Sequence, residues 1–309
     1  MNDSLYLGFD GGATKTAGVA LNFEKETLAE SVGEAANFQI IGVERASEHI
    51  LQVTENLLKT IGADFSRIRS MFLGLAGAGR ADDANRMRAA FLDLLSKRSL
   101  RIPHVGVGSD AIAALEGAFR GKPGMILISG TGSILFAKDS TNAIHRIGGW
   151  GRFIGDEGSG YAIGRACLVA VARAFDGRGE LTMMTQLLKD RKNIADPQSM
   201  VVEVYQKNFD IASAAPIALE AAESGDGAAI GIITESARQL SDHIRAVANK
   251  VDEPLPLVLI GSILTKSSPL SRKFLQIIAE DFPEIRVQPA ESSPAVGAAL
   301  LAFKIDEAK

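Results

Sequence analysis

The chain has 309 residues, 46% of them hydrophobic, and a formal charge of -4 with both signs interspersed. A single core stops growing at roughly 250–300 residues, so this length and apolar content imply two domains. There is no basic face for nucleic acid, no apolar run near the ~20 residues of a membrane span, and no basic-then-apolar leader at the N-terminus.

In chain order, residues 5–21, LYLGFDGGATKTAGVAL, read as an apolar strand, a Gly/Thr-rich turn and a second apolar strand, with a third strand around Thr27–Val32. Glu44–Ile61 places Ile50, Val53, Leu57, Leu58 and Ile61 mostly three or four residues apart and stops at Gly62, which predicts a helix. Asp82 and Asp83 favour the start of another, carrying Met87, Phe91, Leu94 and Leu95. An apolar segment, Ile102–Val107, leads through Gly108-Ser109-Asp110 into a further helix, and GAFRGKPG near residues 114–122 punctuates the pattern as a domain junction. Residues 125–137, MILISGTGSILFA, then repeat the strand–turn–strand order, with a third strand around Ala143–Ile147. Gly148–Gly160 is too rich in glycine for helix or strand and predicts a shaped loop around Trp150. Beyond it come a helix from Gly160 to about Phe175, an N-cap with proline at Asp196-Pro197, and a long helix over Ala228–Val251. A strand at Leu255–Ile260 ends at Gly261-Ser262, and Ser293-Pro294 opens the last helix.

The two turns are where chemistry is expected. Glycines in Asp10-Gly11-Gly12-Ala13-Thr14-Lys15-Thr16 let backbone N–H groups approach a phosphate, and the threonines add donors. Asp10, at the end of the first strand, suits a water-coordinated Mg²⁺ beside those phosphates. Neither this turn nor Ser129-Gly130-Thr131-Gly132-Ser133 is followed by a helical period, which separates both from Rossmann and Walker sites. Two donor-rich tips, one in each half, suit one polyphosphate held between them. Asp110 reads in two ways, as a helix N-cap or as an acceptor of a substrate hydroxyl's proton, and the local sequence favours the cap. In the glycine-rich loop, Trp150 is either a buried anchor or a flat surface for a sugar ring. Asp156 and Glu157 either cap the following helix or hydrogen-bond hydroxyls.

Together these residues resemble the sugar-kinase, heat-shock chaperone and actin superfamily, and within it the group of N-acetylglucosamine kinase and the BadF/BadG/BcrA/BcrD ATPases. The motifs that carry the likeness run in order along nearly the whole chain: FDGGATKT, EAANFQIIG, GLAGAG, SDAIAAL, LISGTGSI, GGWGRFIGDEGSGYAIG, LVLIGSI and SSPAVGAALLA. The resemblance implies an α/β, two-lobed, actin-like (ribonuclease H-like) duplicated fold with mixed sheets flanked by helices. Its lobes would be residues 1–116 and 117–292, with the helix 293–305 packing back on the first. It implies a cytoplasmic ATP- and Mg²⁺-dependent kinase for an amino sugar, N-acetylglucosamine above others, with neither nucleic acid nor membrane as partner and a homodimer left open. Asp10, Gly11, Gly12, Thr14 and Thr16 match the first phosphate motif, and Gly130, Thr131 and Gly132 the second. Gly261 and Ser262 match an adenosine-side turn. Asp110 matches the catalytic aspartate. Asn37, Gly149, Trp150, Gly151 and Asp156 match sugar-contacting positions. The segment Ala36-Asn37-Phe38-Gln39 departs from the vertebrate Thr-Asn-His-Trp run and keeps only the asparagine.

Other members of the superfamily fit less well. Activators of radical dehydratases hold an iron–sulfur cluster with two cysteines per chain, whereas the sole cysteine here is Cys167, within an apolar helix and expected to be a core thiol. That lone cysteine also fits a reducing compartment, and the four scattered histidines have no zinc-like spacing. Chaperone-like relatives need a client domain, which is not expected after the final helix.

Overall fold

The computed structural model describes residues 3–307. The first sheet contains β1 (Leu5–Gly11), β2 (Thr16–Leu21), β3 (Thr27–Gly33), β4 (Ile68–Leu75) and β5 (His104–Ser109) in the order β3-β2-β1-β4-β5. β1, β2 and β3 run antiparallel as hairpins, and β4 and β5 continue parallel to β1. Its helices are α1 (Phe38–Ile41), α2 (Val43–Ile61), α3 (Ala81–Lys97) and α4 (Asp110–Ala118). The second sheet contains β6 (Gly124–Ser129), β7 (Ser133–Lys138), β8 (Ile144–Gly148) and β9 (Leu257–Ile260) in the order β8-β7-β6-β9. That order reproduces β3-β2-β1-β4, so the duplication read from the two Gly-rich hairpins is a duplication of topology. Between β8 and β9 lie α5 (Gly160–Phe175), α6 (Met183–Lys192), α7 (Pro197–Val201), α8 (Ala215–Glu223) and α9 (Gly227–Ala248). After β9 come α10 (Ser262–Thr265), α11 (Pro269–Asp281) and α12 (Pro294–Glu307).

Burial explains these elements. β1 is buried along its length except at Asp10, as befits a strand with neighbours on both sides. α2 turns Ile50, Val53 and Leu57 into the core and stops at Gly62, whose φ of 72° is the left-handed cap a glycine adopts freely. α9 begins one residue before its expected start because Asp226 caps it, with its Oδ1 accepting the Ala229 N–H at 2.8 Å. α6, α8 and α11 have no counterpart in the sequence reading. No described helix is long and apolar enough to cross a membrane.

The chain divides into two compact units, one running to Gly124 and resuming at Pro289, the other Met125–Gln288. The junction expected at 116/117 thus lies at 124/125, and the return expected at 292/293 lies at 288/289; residues 1 and 2 of the first lobe lie outside the described residues. The shift has a packing cause. α12 crosses α4 so closely that a Cβ on Gly297 would sit 2.0 Å from the Ala113 carbonyl oxygen, which holds all of α4 and the turn after it in the first unit. Tyr6 of β1 stacks on Phe303 with ring centroids 3.5 Å apart, and Arg69 donates to Asp306 at 2.8 Å. Lys304 bonds both oxygens of the buried Glu116 at 2.9 Å. The second unit has its own core around Leu127, Leu135, Cys167, Ile233, Leu240 and Phe274.

Candidate active site

In the first unit the parallel strands end together. Asp10 of β1 is in register with Gly74 of β4, and Gly74 with Gly108 of β5. A Cβ on Gly74 would lie 2.6 Å from Ala113 Cβ, so a glycine there is what lets the start of α4 approach the sheet edge. Asp10 and Asp110 consequently share one locality, at the carboxyl ends where open α/β sheets bind ligands. Burial pushes Asp10 above the ordinary carboxylate range, the neighbouring Asp110 pushes it further, and Lys15 opposes both.

Asp110 is not the N-cap that the local sequence favoured. Ser109 caps α4, with its hydroxyl oxygen accepting the Ala111 N–H at 3.1 Å. Asp110 is the first helical residue, and its Oδ1 accepts the Ala111 N–H at 2.8 Å and the Ser109 hydroxyl at 3.2 Å. Its Oδ2 makes no bond among the described residues. One oxygen is therefore fixed by the helix end while the other is left to take a proton.

The first turn is closed by the Gly12 N–H donating to Lys15 O at 3.0 Å, which exposes Ala13, Thr14 and Lys15. The Gly12 carbonyl in turn accepts the N–H groups of Ala36 and Asn37 at 3.2 and 3.1 Å, so Asn37 is tied to the turn. Asn37 Oδ1 accepts the Gln39 N–H at 3.1 Å as cap of α1, which leaves its amide N–H₂ to donate. Thr16 differs from the other matched residues. It is fully buried and its hydroxyl donates to Glu34 O at 2.7 Å, so it fastens the hairpin and is closed to a ligand. Gln39, which sequence reasoning did not single out, is bracketed by Gly77 O and Arg86, both at 3.4 Å. The GLAGAG motif was the available signal for this contact.

In the second unit the turn is stitched to the glycine-rich loop. Ser129 and Ser133 donate their hydroxyls to the carbonyls of Gly158 and Glu157 at 3.0 and 2.7 Å. The N–H groups of Gly160 and Tyr161, at the start of α5, donate to Gly130 O and Thr131 O at 2.8 and 3.2 Å. Only the Thr131 hydroxyl among the three stays exposed and without a bond among the described residues. Asp156 holds a φ of 60°, unusual for a residue with a Cβ, and its carboxylate lies beside the turn: a Cβ on Gly132 would sit 3.0 Å from its Oδ2. Gly261, with φ 101°, passes so close to β6 that a Cβ would lie 2.0 Å from Ser129 O. Around Gly160 the chain also brings Ile263 and Ala212 near, at 3.2 and 3.8 Å from where its Cβ would be, so the turn, residues 211–213 and Gly261-Ser262 converge.

Trp150 is 69% exposed and is not a buried anchor. Arg146 lies over its ring at 5.5 Å and donates to Gly149 O at 2.6 Å, which holds the indole as a surface. Gly148, with φ 71°, rests on His243, whose Nε2 would be 2.4 Å from an added Cβ. Nothing in the sequence pointed to His243, a lone histidine in a long helix. Asn37, Asp10 and Asp110 thus belong to the first unit, and Gly130–Gly132, Gly149–Gly151, Asp156, Gly261 and Ser262 to the second. Among the described residues no group of three or more His, Cys, Asp or Glu is arranged to hold a metal ion. Asp10 beside Asp110 nevertheless offers the hard oxygen donors that suit Mg²⁺ carrying most of its own water.

The repeated sheet order with a glycine-rich hairpin in each unit defines the duplicated, actin-like α/β class. The chain belongs to the BadF/BadG/BcrA/BcrD ATPase family, whose sequence pattern matches residues 7–302. It is 30% identical to an N-acetyl-D-glucosamine kinase of Dictyostelium discoideum over 98% of this chain and 99% of that one. It is 27% identical to an N-acetylmuramic acid/N-acetylglucosamine kinase of Clostridium acetobutylicum over 96% and 97%. A solved structure from Chromobacterium violaceum, a candidate N-acetylglucosamine kinase, superposes with a TM-score of 0.72 at 25% identity over 97% and 99% of the two chains.

Proposed function

We propose that this chain is an ATP-dependent amino-sugar kinase that phosphorylates the 6-hydroxyl of N-acetylglucosamine. The observation that carries the reading is Asp110, a carboxylate with one oxygen pinned by a helix end and the other unbonded, in a chain similar along its whole length to N-acetylglucosamine kinases. In the reaction, Asp110 Oδ2 accepts the proton of the acceptor hydroxyl, whose oxygen bonds to the γ-phosphorus as the bond to the ADP oxygen breaks. Gly12, Thr14, Gly130, Thr131 and Gly132 donate to phosphate oxygens. Gly261 and Ser262 border the adenosine. Asn37, Asp156 and the Gly149–Gly151 loop hold the sugar, with Trp150 as a face for the ring. Asp10 would hold Mg²⁺ through water, and the cation would supply charge neutralisation on the transferring phosphoryl group. The activator alternative meets a physical obstacle: Cys167 is buried and its thiol is pushed up to about 12 by burial and then Asp226, unlike a thiolate cluster ligand.

An ADP-release assay with Mg²⁺·ATP and a panel of glucose, glucosamine, N-acetylglucosamine, N-acetylmannosamine and N-acetylmuramic acid tests this. Strongest stimulation by N-acetylglucosamine is expected, with 6-phosphate as the product by NMR. Stimulation by a different sugar moves the specificity and keeps the chemistry, while steady hydrolysis indifferent to every sugar overturns the kinase reading.

A further inference from the structure

The four residues Glu34-Ala35-Ala36-Asn37 lead from the end of β3 to the start of α1 and belong to neither element. Each is nevertheless tethered. The Glu34 carbonyl accepts the Thr16 hydroxyl at 2.7 Å, and the N–H groups of Ala36 and Asn37 donate to Gly12 O at 3.2 and 3.1 Å. Those tethers come from the first hairpin. The tether on Ala35 comes from the helix layer instead, where His49 of α2 places its Nδ1 2.7 Å from Ala35 O. A carbonyl oxygen can only accept, so Nδ1 carries a proton and donates it.

Two glycines make this contact possible. A Cβ on Gly33 would lie 2.5 Å from Val53 Cγ2, and one on Gly18 would lie 2.6 Å from Val53 Cγ1, so their absence lets Val53 seat α2 against β2 and β3. His49 stands one turn before Val53, at the edge of the face that buries Ala46, Ile50 and Val53, and there it meets the chain just past Gly33. Its Nε2 lies 3.1 Å from Glu34 Oε2, but the Glu34 side chain is 73% exposed, and a contact so open to water holds little. The bond to Ala35 O is the one that fixes the segment. We propose that His49 is the positioning residue of the sugar site: by holding Ala35 it sets the backbone that presents the Asn37 amide to the acceptor. The phosphate turn keeps its own closure through the Gly12 N–H bond to Lys15 O, so His49 bears on the sugar rather than on the nucleotide.

The inference rests on the kinase reading for what Asn37 holds, and two variants of the full chain test it. Leucine is a better helix former than histidine or asparagine but donates nothing, whereas asparagine places an amide N–H₂ near the position of Nδ1. A residue that serves only the helix would therefore tolerate His49→Leu better than His49→Asn, and a positioning residue the reverse. His49→Leu should raise KM for N-acetylglucosamine about 10-fold, the effect of one lost hydrogen bond, while kcat and KM for ATP move less than ~2-fold. His49→Asn should restore most of that loss. Amide hydrogen exchange followed by NMR needs no sugar and no turnover: in His49→Leu the Ala36 and Asn37 amides should exchange about 10-fold faster, with Gly12 unchanged. If no sugar stimulates the wild type, the kinase reading falls, and the exchange rates still decide whether His49 fixes the segment. Unchanged exchange at both amides overturns the proposal, and so does an asparagine variant no better than leucine. A His49→Leu protein whose kcat and both KM values worsen together also overturns it, because that is general loosening of the unit.

Discussion

The two Gly-rich turns look alike in sequence and occupy matching places in two sheets of the same strand order, yet they are built for different tasks. The first sits beside a pair of carboxylates. Asp10 is half-buried near Asp110, and burial first and then the neighbouring charge raise its pKa, an unfavourable arrangement that a cation or a shared proton relieves. The second turn has no such tension. Its serine hydroxyls and two of its carbonyls are committed to the glycine-rich loop and to the start of α5, which makes it a rigid frame for Thr131 and the loop carrying Asp156. Duplicated topology therefore does not entail duplicated chemistry: one half is electrostatically poised and the other is mechanically braced.

The largest expected effect tests the poised half. Asp110→Asn should keep the fold and lower kcat at least ~100-fold, the usual size of a general-base contribution. Near-wild-type turnover would remove Asp110 from its role. The same variant should also relieve Asp10, because burial persists but the neighbouring charge is gone. A raised carboxylate pKa opposes folding once pH exceeds the unfolded value and has no effect well below it. Asp110→Asn should accordingly melt higher than wild type at neutral pH, with the gap closing in acid. An equal gap at all pH values would show that the two carboxylates do not interact.

Asp10→Asn should raise the Mg²⁺ concentration needed for half-maximal activity about 10- to 100-fold, the range seen when an outer ligand of a metal is lost. A magnesium titration of initial rates measures this. The braced half should respond in stability instead. Gly261→Ala forces a Cβ into Ser129 O at a left-handed φ, and a loss of about 1–3 kcal/mol should appear in chemical denaturation. The smallest effects separate two threonines that sequence treats alike. Thr16→Ala should cost about 1 kcal/mol of stability through the lost bond to Glu34 O. Thr131→Ala should leave stability unchanged and raise KM for ATP.

Much of this architecture was legible beforehand. Apolar runs broken by glycine- and hydroxyl-rich turns located both hairpins, and Asp-Pro and Ser-Pro signals located the starts of α7 and α12 within a residue. α6 and α8 were not legible, because the apolar residues of one are sparse and those of the other are mostly alanine, whereas α11 was missed despite Ser268-Pro269 at its start and Leu270, Phe274, Ile277 and Ile278 along one face. At the site, sequence supplied the residue types but not their commitments. It placed Thr16 among the donors and favoured Asp110 as a cap, since one-dimensional spacing does not reveal which hydroxyl a distant carbonyl has claimed.

By itself, then, the sequence determined the duplication, the two turns and the glycine-rich loop around Trp150, because local propensity and hydrophobic period act over a few residues. Tertiary structure alone decided where the units divide, that His243 supports Gly148, and that Asp10 and Asp110 share one sheet edge. Those outcomes depend on close approaches between segments far apart in the chain, at Gly297, Gly148 and Gly74, and on burial, which a charge acquires only once the chain has folded around it.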